Sequence, residues 1–379
     1  MGNSRWRLET ALNYAGARVL ELGREKEVEI IVTDWGSGVP LSGAVKLDLS
    51  VAGLVSFLLI PPSIARDLQK DSPFPEVLAL NAAARRARGE YVGRIDQDTL
   101  AGKRFFDTFF ALYEGRRHLD IPLDSALLFS NLRIVPYRFA VRCPPLPVVE
   151  RFVSMFARRM RVDVIKEATF YKKPVGIWLV HKRLWSECGG YDERMIYMGY
   201  MEINMIARLM EKYQLVNLGK LIDYDFYHLE HYHPFVPRYY HPSAPRTSPF
   251  CRTVNQRDFC QPGELNPNGD GWGLAGYVLQ AEPCAVASAQ ASAGEGRAAG
   301  WAGLFLLLPP IALQMAIDGV RVMVRDASRI VVQRAALWSY RAGVVRATVR
   351  GHSPAAWPRL LKERLRQRKA KRMGQRIRS

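Results

Sequence analysis

The sequence has few cysteines, no long unbroken apolar run and no apolar stretch near its start. It contains five cysteines, an odd number with no C-x-x-C pair, which fits a reducing compartment where thiols are small buried apolar groups. The apolar run Val51–Ile60 is too short to span a bilayer, and Trp301–Met315 is broken by Pro309 and Pro310. The first seven residues are polar, and no apolar signal-peptide core follows them. We therefore expect a cytoplasmic protein.

Acidic residues are scarce at the C-terminal end of the chain. Residues 301–379 hold 17 Lys and Arg against three Asp and Glu, a net charge of +14 out of +18 for the whole sequence. Residues 1–300 carry only +4, and this near-neutral body argues against nucleic acid as its main ligand. In the tail, Arg321, Arg325 and Arg329 recur every four residues opposite an apolar stripe. Such a basic helix is either solvated or bound peripherally to the anionic inner face of a membrane.

Apolar patterning in the body alternates between the periods of helices and strands. Helices are predicted at 5–23, 76–88, 105–114, 148–161 and 202–213, and strands at 27–33, 45–49, 91–95, 125–131, 175–180, 216–218 and 222–227. This alternation predicts an α/β layered domain. We divide the chain into a domain over 1–235, its loop-rich C-terminal part over 236–284, an Ala/Ser/Gly-rich flexible linker over 285–300, and a basic helical tail over 301–379.

The stretch Tyr91–Asp98, YVGRIDQD, places two carboxylates one residue apart at the end of a short apolar strand. Paired acids at the C-terminal edge of a buried strand commonly hold a divalent cation against a phosphate. A D-x-D pair alone arises often by chance, and its alternative interpretation is a solvated turn. The surrounding motifs are more specific: NAAARRARGEYV precedes it at Asn81–Val92, and GGYDE follows at Gly189–Glu193, ahead of a glycine turn and an acidic helix start.

Together with Asp34-x-Gly-Ser upstream, these motifs resemble a family 2-type glycosyltransferase of the GT-A fold, over roughly residues 5–235. The resemblance implies a layered sheet flanked by helices and transfer of a sugar from a nucleotide diphosphate donor, usually with inversion. It also implies a divalent metal and a saccharide or lipid-linked acceptor, as in polysaccharide or glycolipid synthesis. The family ordinarily opens with a strand before its first helix. Here either the start is misassigned or the sheet lacks that strand.

The resemblance assigns the metal end of the site to the D-x-D pair. Hard cations such as Mn²⁺ or Mg²⁺ take oxygen ligands, so Asp98 is the expected direct ligand, with Asp96 nearer the ribose or a metal-bound water. The cation would neutralise charge that develops on the leaving diphosphate. Related enzymes often add a histidine, and either His228 or His231 can serve, with His228 preferred. One imidazole would suit Mn²⁺ slightly better than Mg²⁺, and the alternative is a surface His-rich turn.

Three further residues are candidates for binding the nucleotide sugar. Asp34 ends the first recognisable strand, so its carboxylate either accepts from the base or ribose or caps the turn at Gly36. Asn81 and Arg85 lie one turn apart on one helix face. From there Arg85 either reaches a phosphate or stays solvated, while its neighbour Arg86 points elsewhere.

The acceptor hydroxyl needs a base, which a positioned carboxylate supplies. In the family this acid starts a helix in a G-x-x-E-D-like motif, and the matching stretch is GYMEIN at Gly199–Asn204. If Arg208 fixes the register, Glu202 is the base and Met201 replaces the first acid. If Glu202 is instead the first acid, Ile203 replaces the base. We prefer the first register. A purely structural reading of Glu202 is a first-turn acid favoured by the helix dipole.

Aromatic side chains can stack on sugar rings, and four of them are candidates for an acceptor pocket or for the core: Tyr171, Trp178, Trp185 and Tyr191. Two functions from other classes stay open at this point. One is a catalytically inactive sugar-nucleotide-binding or scaffold protein. The other is a basic membrane- or nucleic-acid-binding protein that acts through its tail.

Overall fold

A computed structural model describes residues 3–72, 75–162, 178–197, 201–231, 264–285 and 287–288. All of them belong to one compact unit, residues 1–315. The predicted basic tail, most of the predicted linker and the loop residues 232–263 lie outside the described residues. Within the described part of the chain, no helix is both long and apolar enough to cross a bilayer.

Helices and strands alternate along the described chain. The helices are α1 (Ser4–Glu21), α2 (Leu41–Ala44), α3 (Leu49–Ala52), α4 (Pro62–Gln69), α5 (Glu76–Arg86), α6 (Lys103–Tyr113), α7 (Tyr137–Ala140), α8 (Leu146–Phe156), α9 (Lys182–Glu187), α10 (Met201–Leu209) and α11 (Leu218–Leu221). The strands are β1 (Ile30–Trp35), β2 (Leu47–Asp48), β3 (Val55–Ile60), β4 (Tyr91–Arg94), β5 (Thr99–Ala101), β6 (Ala126–Phe129), β7 (Arg133–Val135), β8 (Trp178–His181), β9 (Gln214–Asn217), β10 (Phe226–Leu229), β11 (Gln280–Pro283) and β12 (Ala287–Ser288).

The strands form four sheets with mixed directions. In the first, β3 lies between β1, which is parallel to it, and β11, which is antiparallel. The second has the order β4-β8-β6-β9, with only the β6–β9 pair parallel. In the third, β10 lies between antiparallel β5 and parallel β7. The fourth is the short parallel pair β2–β12. The predicted mixture of helices and strands in an α/β fold is confirmed.

Several boundaries differ from the sequence prediction, and two stretches show a local reason for their observed limits. The apolar stretch Val51–Ile60 divides into the end of α3 and the whole of β3, because a turn at Gly53 separates them. The predicted strand over 222–227 is wrong at its start. Asp223 and Tyr224 have φ of 51° and 53°, in the left-handed region, so an extended strand begins only at Phe226.

The first residues of the predicted linker make backbone hydrogen bonds to the N-terminal part of the domain. Ala285 donates its backbone N–H to the carbonyl of Ser42 at 2.8 Å, and β12 pairs with β2 two residues later. Backbone hydrogen bonding therefore holds this end of the linker to the N-terminal part of the domain.

The side of α1 that faces the protein covers the third sheet. Ala11 and Tyr14 share a buried apolar cluster with Leu100 of β5, Tyr227 of β10 and Phe152 of α8. Their spacing of three residues places both on one helix face. This packing fixes the sheet edge from which the candidate site is built.

Candidate functional site

The antiparallel pair β5–β10 brings the second acid of the D-x-D pair to a histidine. His228 lies opposite Thr99, the residue after Asp98, and the Leu229 N–H donates to the Asp98 carbonyl at 2.8 Å. Residues that are 130 positions apart along the chain therefore meet through ladder hydrogen bonds. Because β10 ends at Leu229, His231 follows just beyond the strand and can turn back to the same carboxylate.

Asp98, His228 and His231 form one compact cluster. The Asp98 Oδ1 is 3.2 Å from His228 Nδ1, and its Oδ2 is 2.7 Å from His231 Nε2. The three potential ligand atoms all lie within 4.8 Å of one another. The structure thus brings both histidines to Asp98, where the sequence prediction preferred one. A carboxylate and two imidazoles form a donor set that fits a divalent metal of the Mn²⁺ or Zn²⁺ type.

The electrostatics of this cluster favour a charged carboxylate. Burial opposes ionisation of Asp98, but His228 and His231 outweigh it and hold the pKa of the carboxyl well below its usual range. Burial also disfavours a charged His228, yet the nearby Asp98 carboxylate raises the pKa of that imidazole overall. The buried Asp98 carboxylate and the partly buried His228 imidazole therefore stabilise each other's charged forms at the candidate cation site.

A second cluster, which we call the Arg94 network, surrounds the last residue of β4. The buried Arg94 guanidinium donates to Glu202 Oε1 at 2.6 Å and lies 3.0 Å from Asp96 Oδ1. It also donates to Glu76 in the first turn of α5. Glu202, predicted as the catalytic base, is therefore held in a buried ion pair. The other oxygen of Glu202, Oε2, is buried and has no hydrogen-bond partner among the described residues.

Three carboxylates around one guanidinium leave the Arg94 network with excess negative charge. Burial raises the pKa of Glu76 to about 7, although the Arg94 charge opposes it. Burial likewise raises the pKa of Asp96 against the effect of Arg94. Burial disfavours the charged form of Arg94 too, but the surrounding carboxylates raise its pKa overall. At neutral pH this arrangement can hold or release a proton at Glu76 more readily than an exposed glutamate could.

Sequence reasoning missed Arg94 and Glu76, although the strand pattern contained a signal. Within β4, Val92 and Arg94 are buried and the intervening Gly93 is exposed, as the two-residue period of a strand requires. An arginine on the buried face of a strand needs a carboxylate partner. That rule would have identified Arg94 as a functional or structural hub.

Asp34 lies where the sequence predicted it, at the end of β1, and it is buried. Its Oδ2 accepts the backbone N–H of Leu41 at 2.7 Å, at the start of α2. Its Oδ1 is buried and has no hydrogen-bond partner in the described part of the chain. The carboxylate therefore does not cap the turn at Gly36, and one of its oxygens remains available.

Asn81 has a different environment from the one predicted. It is fully buried, its Nδ2 donates to the Tyr191 carbonyl at 2.9 Å, and its Oδ1 accepts the Tyr191 N–H at 2.8 Å. The amide thereby ties α5 to the turn at Gly189–Glu193. The close approach requires glycine at Gly190, where φ is 69° and a Cβ would lie 2.2 Å from Asn81 Oδ1. The polar atoms of Asn81 are therefore engaged inside the protein, and its contact with a nucleotide stays a prediction.

Arg85 is likewise engaged inside the protein. Its Nη1 donates to the carbonyls of Asp270 and Trp272, both at 3.1 Å, and its guanidinium stacks over the Trp272 ring. The sequence prediction was that Arg86 points away from Arg85. In the structure Arg86 instead donates to carbonyls of the same segment, including that of Gly273 at 2.7 Å. The adjacent arginines bind the 270–277 segment to α5, so the structure does not place Arg85 at a phosphate.

The remaining predicted residues belong to the core. Trp178 and Trp185 stack with ring centroids 4.9 Å apart, and Trp178 Nε1 donates to the Tyr191 hydroxyl at 2.9 Å. These three buried aromatics do not line an open pocket, and Tyr171 lies outside the described residues. Met201 is buried in the same apolar cluster. Arg208 is also buried, and its guanidinium donates to backbone carbonyls.

No family model matches this chain, and no curated protein is significantly similar to it in sequence. A fold class alone supports many activities, so function has to be argued from the two clusters. The Asp98 cluster offers a candidate cation site. The Arg94 network contains the buried carboxylate of Glu202 and, through Asp96, is joined to that cluster along the D-x-D stretch.

Proposed function

We propose that this protein is a metal-dependent glycosyltransferase of the GT-A type, transferring a sugar from a nucleotide diphosphate donor to an acceptor hydroxyl, with inversion. One observation carries the proposal. The stretch Asp96–Asp98 contributes one carboxylate to the Arg94 network and the other to the Asp98 cluster. A cation site and a fixed basic carboxylate are the two parts that an in-line sugar transfer needs.

The metal site consists of Asp98, His228 and His231. A bound Mn²⁺ or related ion supplies charge neutralisation for the leaving diphosphate. The protein's part is to hold two imidazoles and a carboxylate on adjacent strands, so that little reorganisation is needed when the ion binds.

Glu202 is the proposed acceptor base. Arg94 fixes its Oε1 by a charge-assisted hydrogen bond, so Oε2, which has no partner among the described residues, is the atom that takes the proton. Asp96 and the free Oδ1 of Asp34 are the proposed contacts to the nucleotide.

Binding and hydrolysis of the donor test the proposal together. Thermal shift with UDP and GDP, each with and without Mn²⁺, should show a metal-dependent increase in melting temperature. Asp98→Ala should abolish that increase, and Glu202→Gln should retain it while losing donor hydrolysis and transfer. No stabilisation by any nucleotide diphosphate with Mn²⁺ would overturn the proposal.

A second candidate is an inactive sugar-nucleotide-binding protein. The observation behind it is Met201, which replaces the first acid of the family motif and packs in the apolar core. This candidate predicts metal-dependent nucleotide binding in the wild type without hydrolysis of any donor sugar. The same binding assay followed by product analysis separates it from the enzyme.

We also propose that the acceptor is a saccharide or a lipid-linked saccharide, with the basic residues 301–379 contacting the inner face of the membrane. Their net charge of +14 supports attraction to anionic lipids. Flotation with anionic liposomes should show binding at low salt that weakens as salt rises. No binding at low salt would contradict membrane contact.

A further inference from the structure

Arg85 was a candidate for a phosphate contact in the sequence, but its guanidinium donates to backbone carbonyls. Another arginine has no such partners. Arg7 lies in the first turns of α1, and its side chain makes no hydrogen bond and no ion pair with any described residue. The Nε atom is buried without an acceptor among those residues. A partly buried guanidinium without an acceptor or counter-ion costs free energy. An anionic ligand at this position would remove that cost.

The packing of α1 places Arg7 next to the Asp98 cluster. Arg7, Ala11 and Tyr14 follow the i, i+4, i+7 spacing of one helix face, and the last two pack with Leu100 of β5. The strand β5 begins immediately after Asp98. Burial lowers the pKa of the Arg7 guanidinium, and the carboxylate that opposes this most is Asp98. The helix face thus carries Arg7 toward the metal-binding end of the strand.

The start of α1 is fixed in place by contacts to one turn. Trp6 Nε1 donates to the Pro144 carbonyl and Asn3 Nδ2 donates to the Val141 carbonyl, both at 3.1 Å. Both bonds come from residues that precede Arg7 in sequence, and they restrain its backbone, while the guanidinium has no hydrogen-bond partner in the described part of the chain. A restrained cation with free donors is suited to binding an oxyanion, because little freedom is lost when the ligand arrives.

We propose that Arg7 binds a phosphate oxygen of a diphosphate held beside the Asp98 cluster. The inference rests on the proposed function for the identity of the diphosphate as that of a nucleotide donor. A guanidinium offers two parallel donors to a phosphate, which a metal ion held by Asp98 does not supply. Arg7 therefore takes the phosphate role for which Arg85 was one candidate in the sequence.

Isothermal titration of the full chain with Mn²⁺ tests this assignment, with UDP, GDP, inorganic pyrophosphate and uridine as probes. Arg7→Met should weaken pyrophosphate and nucleotide diphosphate binding by about 10- to 100-fold, the usual effect of a hydrogen bond to a charged group. Arg7→Lys should be intermediate, since it keeps the charge but loses the paired donors. The matched control is Arg5→Met, because Arg5 lies on the same helix and its side chain is 67% exposed.

The variants are expected to fold, since the Arg7 side chain forms no hydrogen bond or ion pair with a described residue, and melting temperature without ligand checks this. Equal diphosphate affinity for the wild type and Arg7→Met overturns the inference and leaves the proposed function standing. Arg7-dependent binding of pyrophosphate without any nucleotide diphosphate binding supports the inference and overturns the proposed function. Absence of binding by every phosphate probe overturns both.

Discussion

Removing Arg94 should destabilise the protein far more than removing an exposed arginine. Arg94→Met takes away the one cation that the Glu76, Asp96 and Glu202 carboxylates share. The Arg94 and Glu202 side chains are 5% and 6% exposed, so the buried Glu202 carboxylate loses the ion-pair partner that it has among the described residues. Breaking a buried pair in this way costs about 3–5 kcal/mol. The other two carboxylates are 24% and 32% exposed, and solvent screens their loss.

The assay is thermal unfolding of the full chain, followed by circular dichroism. In a domain of this size 1 kcal/mol corresponds to roughly 2–4 °C, so the melting temperature should fall by about 6–20 °C. The matched control is Arg88→Met. Arg88 also forms a close ion pair, 2.9 Å from Glu29, but its side chain is 85% exposed, and the expected loss is below about 1 kcal/mol.

The pH dependence gives a second measurement of the same effect. As pH falls, Glu76 and Asp96 take up protons, and a neutral carboxyl no longer needs the Arg94 charge. The deficit of Arg94→Met relative to the wild type should therefore shrink toward low pH. Equal losses for Arg94→Met and Arg88→Met at neutral pH would show that the buried network does not contribute as argued.

Three other predictions follow from single residues. His231→Gln should weaken Zn²⁺ or Mn²⁺ binding by more than about tenfold, measured by titration of the metal alone, while Mg²⁺ affinity changes little. The pKa of Glu76 is raised to about 7, so this carboxyl binds more protons in the folded state than in the unfolded state. Its contribution to the free energy of unfolding therefore falls as pH rises from about 4.5 to 7. Urea unfolding of Glu76→Gln across this pH range should lack that fall. Gly190→Ala should lower the melting temperature because of the contact with Asn81, whereas Gly23→Ala, also left-handed but in open space, should cost only about 1 kcal/mol.

The sequence was sufficient for elements whose pattern is local. The apolar spacing of Leu8, Leu12 and Val19 predicts α1 to within two residues of its observed ends, because a helix buries residues that are near one another in sequence. The start of β10 was not accessible in this way. It depends on Asp223 and Tyr224, whose backbones both have positive φ. Neither residue type predicts two consecutive residues in that conformation.

The residues of the candidate site also divide into those that the sequence identifies and those whose partners are distant in sequence. Asp98 and His228 were identifiable because the types of residue that bind metals stand out in any sequence. The environments of Asn81 and Arg85 were not, because their partners lie 110 and 185 residues away. Helical spacing shows which residues share a face, but not which distant backbone carbonyls already occupy their donors. Arg7 was missed for the same reason. Only the three-dimensional structure shows that its side chain has no hydrogen-bond partner among the described residues.

The return of the chain at β11 has a consequence for how the protein is made. β3 ends at Ile60, and β11, which pairs with its other edge, begins at Gln280, so 219 residues separate the two strands. At a synthesis rate of about 5–20 residues per second, β3 waits roughly 10–40 s with an open, apolar edge. Such an edge is a template for pairing with other chains. The nascent protein is therefore most exposed to misassembly until β11 emerges, and a truncation before Gln280 would make that exposure permanent.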